Sequence, residues 1–338
     1  MPDRPAPPSD PRSADAAPPV GRFAPSPTGD LHVGSALAAL AAWASVRGRG
    51  GRFVWRVEDL DGPRAVAGAA ERQTEDARWL GLDWDEGPGV GGPHAPYWQS
   101  ERGGLYESAL ARLARAGRLF PCAVSRSDLR DLASAPHGGP GLPPFPPALR
   151  PAPPADGWFE DPEARADRAL RFRVDGGPVS FDDRVVGFVE EDVRQTTGDF
   201  VLQRRDGVTA YQLAVVVDDL AMGVTEVVRG RDLLDSTARQ ILLARALGGA
   251  EPVYAHVPLA VGADGEKLSK RDEGLTVRAL REAGVAPEAL VGWLAEALGQ
   301  PGAGRRAAAD VAASFDLSRV RPEPVTVPAR LAAHLRAR

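Results

Sequence analysis

The sequence has 338 residues, of which 43% are hydrophobic and 26% are charged, and its formal net charge is −5. This composition permits a sizeable core divided among two or three domains, and it excludes a surface coated entirely with basic residues for nucleic-acid binding. The one cysteine, Cys122, excludes an intrachain disulfide and a metal site built from several cysteines.

Residues 1–19 form a proline-rich leader without the apolar segment of a signal peptide, and we expect it to be disordered. Further along, no apolar run approaches the roughly 20 residues that a membrane-spanning helix needs. The sequence therefore predicts a cytoplasmic protein that has no membrane partner, and we expect it to be a monomer.

Strand and helix patterns alternate over residues 20–118. The predicted elements are a strand at 20–24, a helix that reaches about residue 46, a strand at 52–58, and helices near 65–81 and 103–116. Strands that alternate with helices predict an α/β core with a parallel sheet.

An insertion follows at 119–195, and its stretch 134–157 is so rich in Pro and Gly that we expect a loop there. The α/β pattern returns over 196–275, with predicted strands at 200–204, 226–229 and 253–259 and helices at 211–222 and 233–247. Residues 276–338 form a short helical C-terminal region, with helices near 276–283 and 287–298. Its last 30 or so residues look irregular, and we expect their basic end to be solvated.

A Gly-rich segment from Arg22 to Ser35 joins the first strand to the first helix. Backbone N–H groups and the positive end of the helix dipole suit such a turn to phosphate binding, and Gly34 allows a close approach. His32 can donate a hydrogen bond to a phosphoryl oxygen. A purely structural turn with an incidental histidine is an equal alternative on this segment alone.

Only two of the 41 Lys and Arg residues are lysines, and both lie in one short segment, at Lys267 and Lys270. The lysine ammonium is compact and sits on a flexible stem, so it can follow a moving phosphate, whereas arginine presents a wide planar fork. The segment predicts a mobile anion-binding loop. Together with the Gly-rich turn, it could clamp a triphosphate while negative charge develops.

Five segments carry a resemblance to the class I aminoacyl-tRNA synthetases. Residues 25–35 resemble the HIGH signature in its glutamyl form, and 267–271 (KLSKR) resemble the KMSKS signature. Three more segments resemble motifs of the glutamyl subgroup, in the expected order: 56–61 (RVEDLD), 210–219 and 229–234. The resemblance implies an α/β Rossmann-type catalytic domain split by an inserted acceptor-binding-like subdomain.

Only 67 residues follow Arg271, which is fewer than a helical anticodon-binding region needs, so we expect no anticodon-binding domain. In this respect the chain resembles the glutamyl-Q tRNA(Asp) synthetase family. Its members use ATP to activate L-glutamate without tRNA, and they transfer the glutamyl group to queuosine in the anticodon of tRNA(Asp). The resemblance implies L-glutamate, ATP with Mg²⁺, and queuosine-bearing tRNA(Asp) as the ligands.

The resemblance also implies the site residues. The glutamate site would consist of Arg22, Phe23, Ala24, Pro25, Ser26, Glu58, Tyr211 and Arg229. The ATP site would include His32, Gly34, Ser35 and Lys270, with His32, Lys270 and Lys267 as the catalytic residues. Arg22 and Arg229 would bind a carboxylate through their planar forks, Glu58 the α-ammonium, and Tyr211 would supply a hydroxyl. The alternatives are structural: a solvated carboxylate at Glu58, a core aromatic at Tyr211 and a surface cation at Arg229.

The insertion departs from the family at its zinc site. Many members carry a C-x-C pair there, but only Cys122 is present, with Val124 where the second cysteine would stand. Zinc prefers four nitrogen or sulfur ligands, and Cys122 with His137 supplies two. We therefore predict that this chain binds no zinc.

Three alternative functions remain open on the sequence. The chain could be a glutamyl-tRNA synthetase module that charges tRNA(Glu), or a non-catalytic tRNA-binding paralogue, or a small-molecule ligase of the same nucleotide-binding superfamily. The presence of His32, Glu58, Tyr211, Arg229 and Lys270 argues against a simple binding protein, because binding alone needs no ATP clamp. The segment 56–61 disfavours the ligase.

Overall fold

The computed structural model describes residues 17–125, 128–129, 144–266, 268 and 273–337. The strands in this part of the chain are β1 (Val20–Phe23), β2 (Arg52–Trp55), β3 (Leu119–Cys122), β4 (Ala169–Phe172), β5 (Val179–Asp183), β6 (Gly187–Glu191), β7 (Phe200–Gln203), β8 (Glu226–Gly230), β9 (Val253–Val257), β10 (Ala260–Val261) and β11 (Val325–Thr326). The helices are α1 (Val33–Arg47), α2 (Ala69–Trp79), α3 (Gly103–Arg115), α4 (Pro162–Arg165), α5 (Val193–Thr196), α6 (Tyr211–Ala221), α7 (Thr237–Ala246), α8 (Val277–Glu282), α9 (Pro287–Ala297), α10 (Ala308–Ala312) and α11 (Leu331–Arg336).

A parallel sheet with the strand order β2-β1-β8-β9 forms the centre of the fold. Successive side chains of a strand point to opposite faces of its sheet. Accordingly, Phe53 and Trp55 of β2 enter the hydrophobic cluster on one face, and Val54 between them enters the cluster on the other. The predicted α/β core with a parallel sheet is confirmed.

Helix α1 covers one face of this sheet and is buried on nearly all sides, with 12 of its 15 residues inaccessible to solvent. The alanines that fill it let β1 and the C-terminal helices approach closely. At Gly21 a Cβ atom would come within 2.4 Å of Val46 Cγ2, so only glycine fits where β1 passes under the helix. This close packing fixes the start of α1 against the end of β1.

The other face of the sheet packs against α3, α6 and α7 and against the insertion. The insertion contributes two strands, β3 and β4, to an antiparallel sheet in the order β3-β4-β7, and it also forms a separate β5–β6 hairpin. The strand β7 was predicted at 200–204, whereas β3, β4, β5 and β6 were missed, because no element other than the Pro/Gly-rich loop was assigned to 119–195.

The predicted loop 134–157 lies partly outside the described residues. Where its second half is described, it is anchored to the insertion. Phe145 is buried and packs against Phe120 at 6.2 Å between ring centroids, and its N–H donates to the Thr197 carbonyl at 2.9 Å. Arg150 pairs with the buried Asp199 at 2.5 Å. Residues 144–157 therefore form a loop with one 3₁₀ turn at Pro147–Leu149, and packing against the insertion holds this loop in place.

Most predicted boundaries agree with the structure to within a few residues, and two differ. The helix predicted at 233–247 begins as a 3₁₀ segment at Arg231–Ser236, and α7 starts only at Thr237. Here the Leu233 carbonyl accepts a hydrogen bond from Arg229 instead of from an α-helical amide. The strand predicted at 52–58 ends at Trp55, although its backbone continues beside β1.

The C-terminal region is more ordered than its sequence suggests. β11 pairs in parallel with β10, with Val325 opposite Ala260. The terminal helix α11 buries Leu331 and Leu335 in the main core, at 1% and 0% exposure. The expectation that this basic end is merely solvated was wrong, because Leu331 and Leu335 pack into the core while Arg330 and Arg336 are exposed.

In the part of the chain that the structure describes, every helix is too short or too polar to traverse a lipid bilayer.

Candidate active site

A cavity of about 930 Å³ opens at the edge of the parallel sheet where β1 and β8 end. Ligands of open α/β sheets bind at this carboxyl edge. All the described residues that the sequence analysis assigned to the site line this cavity: Arg22, Phe23, Ala24, Pro25, Ser26, His32, Gly34, Ser35, Glu58, Tyr211 and Arg229. Lys267 and Lys270 lie outside the described residues, so their roles stay predictions.

The start of α1 forms one end of the cavity. His32 is the N-cap residue, and its Nδ1 accepts a long hydrogen bond from the Gly34 amide at 3.4 Å. A ring that accepts at Nδ1 carries its proton on Nε2, and this proton is the one needed to donate to an anion. The free N–H groups and the dipole of a 15-residue helix add to this preference for negative charge.

The loop between β1 and α1 is held by a residue that the sequence analysis missed. Gln73 on α2 is buried, and its side-chain amide donates to the carbonyl oxygens of Ser26 at 3.2 Å and Gly29 at 2.7 Å. It also lines the cavity. Because both bonds go to main-chain atoms, no sequence motif marks this contact.

Arg22 lies at the other end of the cavity and is only 5% exposed. Its Nη1 donates to the Val228 carbonyl at 3.1 Å, and its Nε lies 3.7 Å from Asp219 Oδ2, beyond hydrogen-bond distance. Burial lowers the pKa of Arg22, and Asp219 only partly offsets this effect. A buried cation that is incompletely compensated favours an anionic ligand such as a carboxylate.

Glu58 lies beside this cation. The amides of Arg56 and Glu58 donate to the carbonyls of Phe23 and Pro25, both at 3.0 Å, so the chain after β2 follows β1 to the cavity. Burial raises the pKa of Glu58, although the charges of Arg56 and Arg22 oppose the rise. A carboxylate in this environment is stabilised by a cationic ligand such as an ammonium group.

Arg56 holds Glu58 in place and is completely buried. Its guanidinium donates to Glu58 Oε1 at 3.3 Å and to Asp219 Oδ1 at 2.8 Å, and its Nε lies 3.5 Å from Asp218 Oδ2. Burial alone would lower the pKa of Arg56, but the three carboxylates raise it. Arg56, Asp218 and Asp219 lie within the motifs at 56–61 and 210–219, but the motifs predicted no role for them. The signal was available in Asp218 and Asp219, two carboxylates in an apolar helical run, which need buried partners.

Arg229 and Tyr211 complete the wall of the cavity. Arg229 is 5% exposed and donates to His256 Nε2 at 2.9 Å, Gln240 Oε1 at 2.7 Å and Thr237 Oγ1 at 2.8 Å. Bonds to these acceptors and to a carbonyl use four of its five N–H donors. The fifth, on Nη1, can serve a ligand. Burial, with the charge of Glu58, raises the pKa of Tyr211, so its hydroxyl keeps its proton.

Described residues within and after the lysine segment lie close to the first motif. Leu268, Thr276 and Arg278 line the same cavity. Thr276 forms an antiparallel bridge with His32, and the Val277 amide donates to the Leu31 carbonyl at 2.8 Å. The fold thus brings the flanks of the loop to the start of α1 across more than 230 residues of sequence.

A second cavity, of about 960 Å³, lies between the parallel sheet and the insertion. It shares three lining residues with the first cavity, namely Ser26, Glu58 and Tyr211. Arginines are the commonest charged residues on its walls: Arg64, Arg171, Arg204, Arg205 and Arg239. These arginines favour a molecule with phosphate groups. Such a molecule would lie next to a ligand in the first cavity, because the two cavities meet at the shared residues.

Cys122 is buried and packs with Phe120, Leu129 and Phe145 in a small apolar cluster. His137 lies outside the described residues. Among the residues that are described, no group of three or more His, Cys, Asp or Glu side chains could hold a metal ion. The absence of zinc stays a prediction.

The first cavity thus combines a helix N-terminus and an Nε2–H donor at one end with two buried arginines and a largely buried carboxylate at the other. The first end suits phosphate groups. The second suits a small zwitterion that carries an additional carboxylate. The arrangement can hold an amino acid and a nucleoside triphosphate side by side, as adenylation requires.

Three comparisons show which known proteins the chain resembles. The family "tRNA synthetases class I (E and Q), catalytic domain" matches residues 20–319. The chain is 49% identical to a glutamyl-Q tRNA(Asp) synthetase of Symbiobacterium thermophilum, over 93% of this chain and 98% of that protein. It is 46% identical to one of Nitratidesulfovibrio vulgaris, over 91% and 95%. A crystal structure of glutamate–tRNA synthetase from Elizabethkingia anophelis superposes with a TM-score of 0.83 at 28% identity, covering 94% of this chain and 70% of that one.

Proposed function

We infer the reaction from the family to which the chain belongs, the glutamyl-Q tRNA(Asp) synthetases within the class I tRNA synthetases for glutamate and glutamine. The chain activates L-glutamate with ATP and transfers the glutamyl group to queuosine in the anticodon of tRNA(Asp). This function is supported most directly by one cavity, which is lined by the start of α1 and by Arg22, Glu58, Tyr211 and Arg229.

Glutamate would be oriented by its charges, because the site binds one carboxylate with cations and the α-ammonium with an anion. Arg22 and Arg229 would bind one carboxylate, because both guanidinium groups are buried and each retains a donor for a ligand. Glu58 would bind the α-ammonium, and Tyr211 would donate its hydroxyl to the amino acid. The second carboxylate would then be free to face the ATP.

ATP would lie along the start of α1, with His32, Gly34 and Ser35 near its phosphates. The free carboxylate attacks the α-phosphorus in line, the bond to the bridging oxygen of pyrophosphate breaks, and glutamyl-adenylate forms. The Nε2–H of His32, together with Lys270, would stabilise the charge that develops on the phosphate. Mg²⁺ would arrive on the phosphates of ATP and neutralise part of their charge.

The second cavity would admit the acceptor. Its arginines suit an RNA backbone, and its shared wall with the first cavity brings the acceptor ring near the adenylate. A hydroxyl of the cyclopentenediol ring attacks the acyl carbon, and AMP leaves. Activation in the first cavity would proceed without the RNA, as the resemblance to the family implies, and a separate acceptor cavity leaves room for this order of steps.

Two assays test this function. Exchange of pyrophosphate into ATP should depend on glutamate and should proceed without tRNA. Labelled glutamate should then appear in queuosine-bearing tRNA(Asp), and tRNA(Asp) that lacks queuosine is the matched control. Label on the 3′ end of tRNA(Glu) would instead indicate a synthetase module for tRNA(Glu). Absence of exchange would indicate a non-catalytic paralogue.

A further inference from the structure

The β5–β6 hairpin of the insertion packs directly against the catalytic sheet. The Arg184 amide donates to the Tyr254 carbonyl of β9 at 2.9 Å, and the rings of Phe181 and Tyr254 lie 5.9 Å apart. Asp183, the last residue of β5, is therefore held at the side of β9 where His256 emerges. It is 4% exposed, and His256 is 0% exposed.

Asp183 accepts hydrogen bonds at both carboxylate oxygens. Its Oδ1 accepts from the amides of His256 at 3.1 Å, Val185 at 3.0 Å and Val186 at 2.9 Å. Its Oδ2 lies 2.6 Å from His256 Nδ1. Burial alone would raise the pKa of Asp183, but the bond from His256 and the backbone amides bring it to about 2. The carboxylate is thus ionised and can only accept, so the imidazole proton resides on Nδ1.

The other ring nitrogen of His256 must then accept. Burial lowers the pKa of His256 and outweighs the opposite effect of Asp183, so the ring is neutral at pH 7. Its Nε2 lies 2.9 Å from Arg229 Nε, which can only donate. The bond therefore forms only in the tautomer that Asp183 selects. Arg229 in turn lines the first cavity.

We propose that Asp183 is a positioning residue for the amino-acid site: it fixes the tautomer of His256, and His256 then orients the Arg229 guanidinium toward the glutamate carboxylate. This inference rests on the proposed function. It makes the insertion a contributor to amino-acid recognition, in addition to any contact with RNA.

Replacement of Asp183 by Asn tests the role of the charge with little change of shape. Three amides donate to Oδ1, so the Asn oxygen takes that place and its NH₂ group faces His256 Nδ1. The ring proton must then move to Nε2, where it opposes the N–H of Arg229. The KM for glutamate should rise about tenfold or more, whereas the KM for ATP should stay within about twofold. Asp182→Asn, an exposed neighbour on β5, should change neither.

A second substitution separates positioning from a general structural role. In the double variant Asp183→Asn/His256→Gln, residue 256 carries an amide oxygen that can accept from Arg229. This oxygen is an acceptor whichever atom residue 183 presents to residue 256. The KM for glutamate should return at least halfway to the wild-type value, because the acceptor no longer depends on a tautomer. If Asp183 only stabilises the hairpin, the double variant will be no better than Asp183→Asn. That result, or an equal rise of both KM values, overturns the proposal.

The tautomer can be measured without any activity. In protein labelled with ¹⁵N-histidine, the signals of His256 are assigned by their loss in His256→Gln. They should show a protonated Nδ1 and a bare Nε2 in the wild type. A proton on Nε2 in the wild type overturns the proposal, even if Asp183→Asn fails to fold. Failure of glutamate-dependent exchange in the wild type would count against the proposed function alone, since this measurement is independent of it.

Discussion

Arg56 and Asp219 face each other in the interior, with Arg56 Nη1 donating to Asp219 Oδ1 at 2.8 Å. Asp219 Oδ2 also lies 3.7 Å from Arg22 Nε. Arg22 would bind a carboxylate of glutamate, and Glu58, which Arg56 holds, would bind its ammonium group. The Arg56–Asp219 ion pair therefore supports both of these contacts. Removal of Arg56 would leave Asp218, Asp219 and Glu58 without their common partner.

We therefore expect Arg56→Gln to lower the free energy of unfolding by about 3–5 kcal/mol, because uncompensated buried charges are costly. Urea denaturation measures the change. Arg245→Gln breaks an exposed ion pair with Glu251 and should cost at most about 1 kcal/mol. A similar small loss in both variants would contradict the central role of Arg56.

His32→Asn should separate catalysis from helix capping. Asparagine is a good N-cap residue, so α1 should remain stable. The variant loses the Nε2–H donor, and we expect the rate of glutamate-dependent pyrophosphate exchange to fall about 100-fold or more. Thermal denaturation checks that the fold is intact. A rate close to wild type would exclude His32 from the chemistry.

The lysines should differ in their sensitivity to arginine. We expect Lys270→Arg to lose most of the exchange rate and Lys267→Arg to lose less, because a planar fork cannot follow the α-phosphate as a compact ammonium does. Steady-state exchange kinetics on the two variants measure this. Equal rates near the wild-type value in both variants would show that the reaction does not require lysine at either position.

Asp76 on α2 should make folding stability depend on pH. It is fully buried, its closest described ion-pair partner is Arg278 at 3.6 Å, and burial raises its pKa to about 6. Between pH 4 and 6 the folded chain then binds more protons at Asp76 than the unfolded chain. Stability from this group is thus present at low pH and is lost as pH rises through 6.

The difference in unfolding free energy between Asp76→Asn and wild type should therefore grow in favour of the variant over this range, by up to about 3 kcal/mol. Urea denaturation at several pH values measures it. Glu71→Gln removes an exposed carboxylate from the same helix and should show no such growth. A constant difference for Asp76→Asn would mean that the carboxylate titrates normally.

Leu335→Ala tests the packing of the terminal helix. Leu335 is completely buried in the main core, so we expect a loss of about 2 kcal/mol or more in unfolding free energy. The adjacent His334 is exposed, and His334→Ala should be nearly neutral. If Leu335→Ala is equally neutral, α11 is not part of the cooperative core.

The alternation of strands and helices was sufficient to predict the parallel sheet and most elements of the catalytic domain. The described site residues were predicted because they lie in short segments, such as 56–61, whose residue order resembles that of the family's motifs. Gln73 and Asp183 could not be predicted in this way. Gln73 bonds to main-chain atoms, and Asp183 acts through His256 on a strand more than 70 residues away. Within the insertion, β3 contains Pro121, a residue that disfavours a strand, and β6 exposes most of its residues, so neither has the sequence pattern of a buried strand.

Ser26, Glu58 and Tyr211 belong to the walls of both cavities. A substitution at any of them would disturb the amino acid and the acceptor together, so neither specificity can be altered there alone. A change of acceptor with glutamate retained must instead arise at residues that line the second cavity alone, such as Arg204 and Arg205. The two specificities are thus separable only at residues that belong to one cavity, and variants made to accept a different RNA should begin with those of the second cavity.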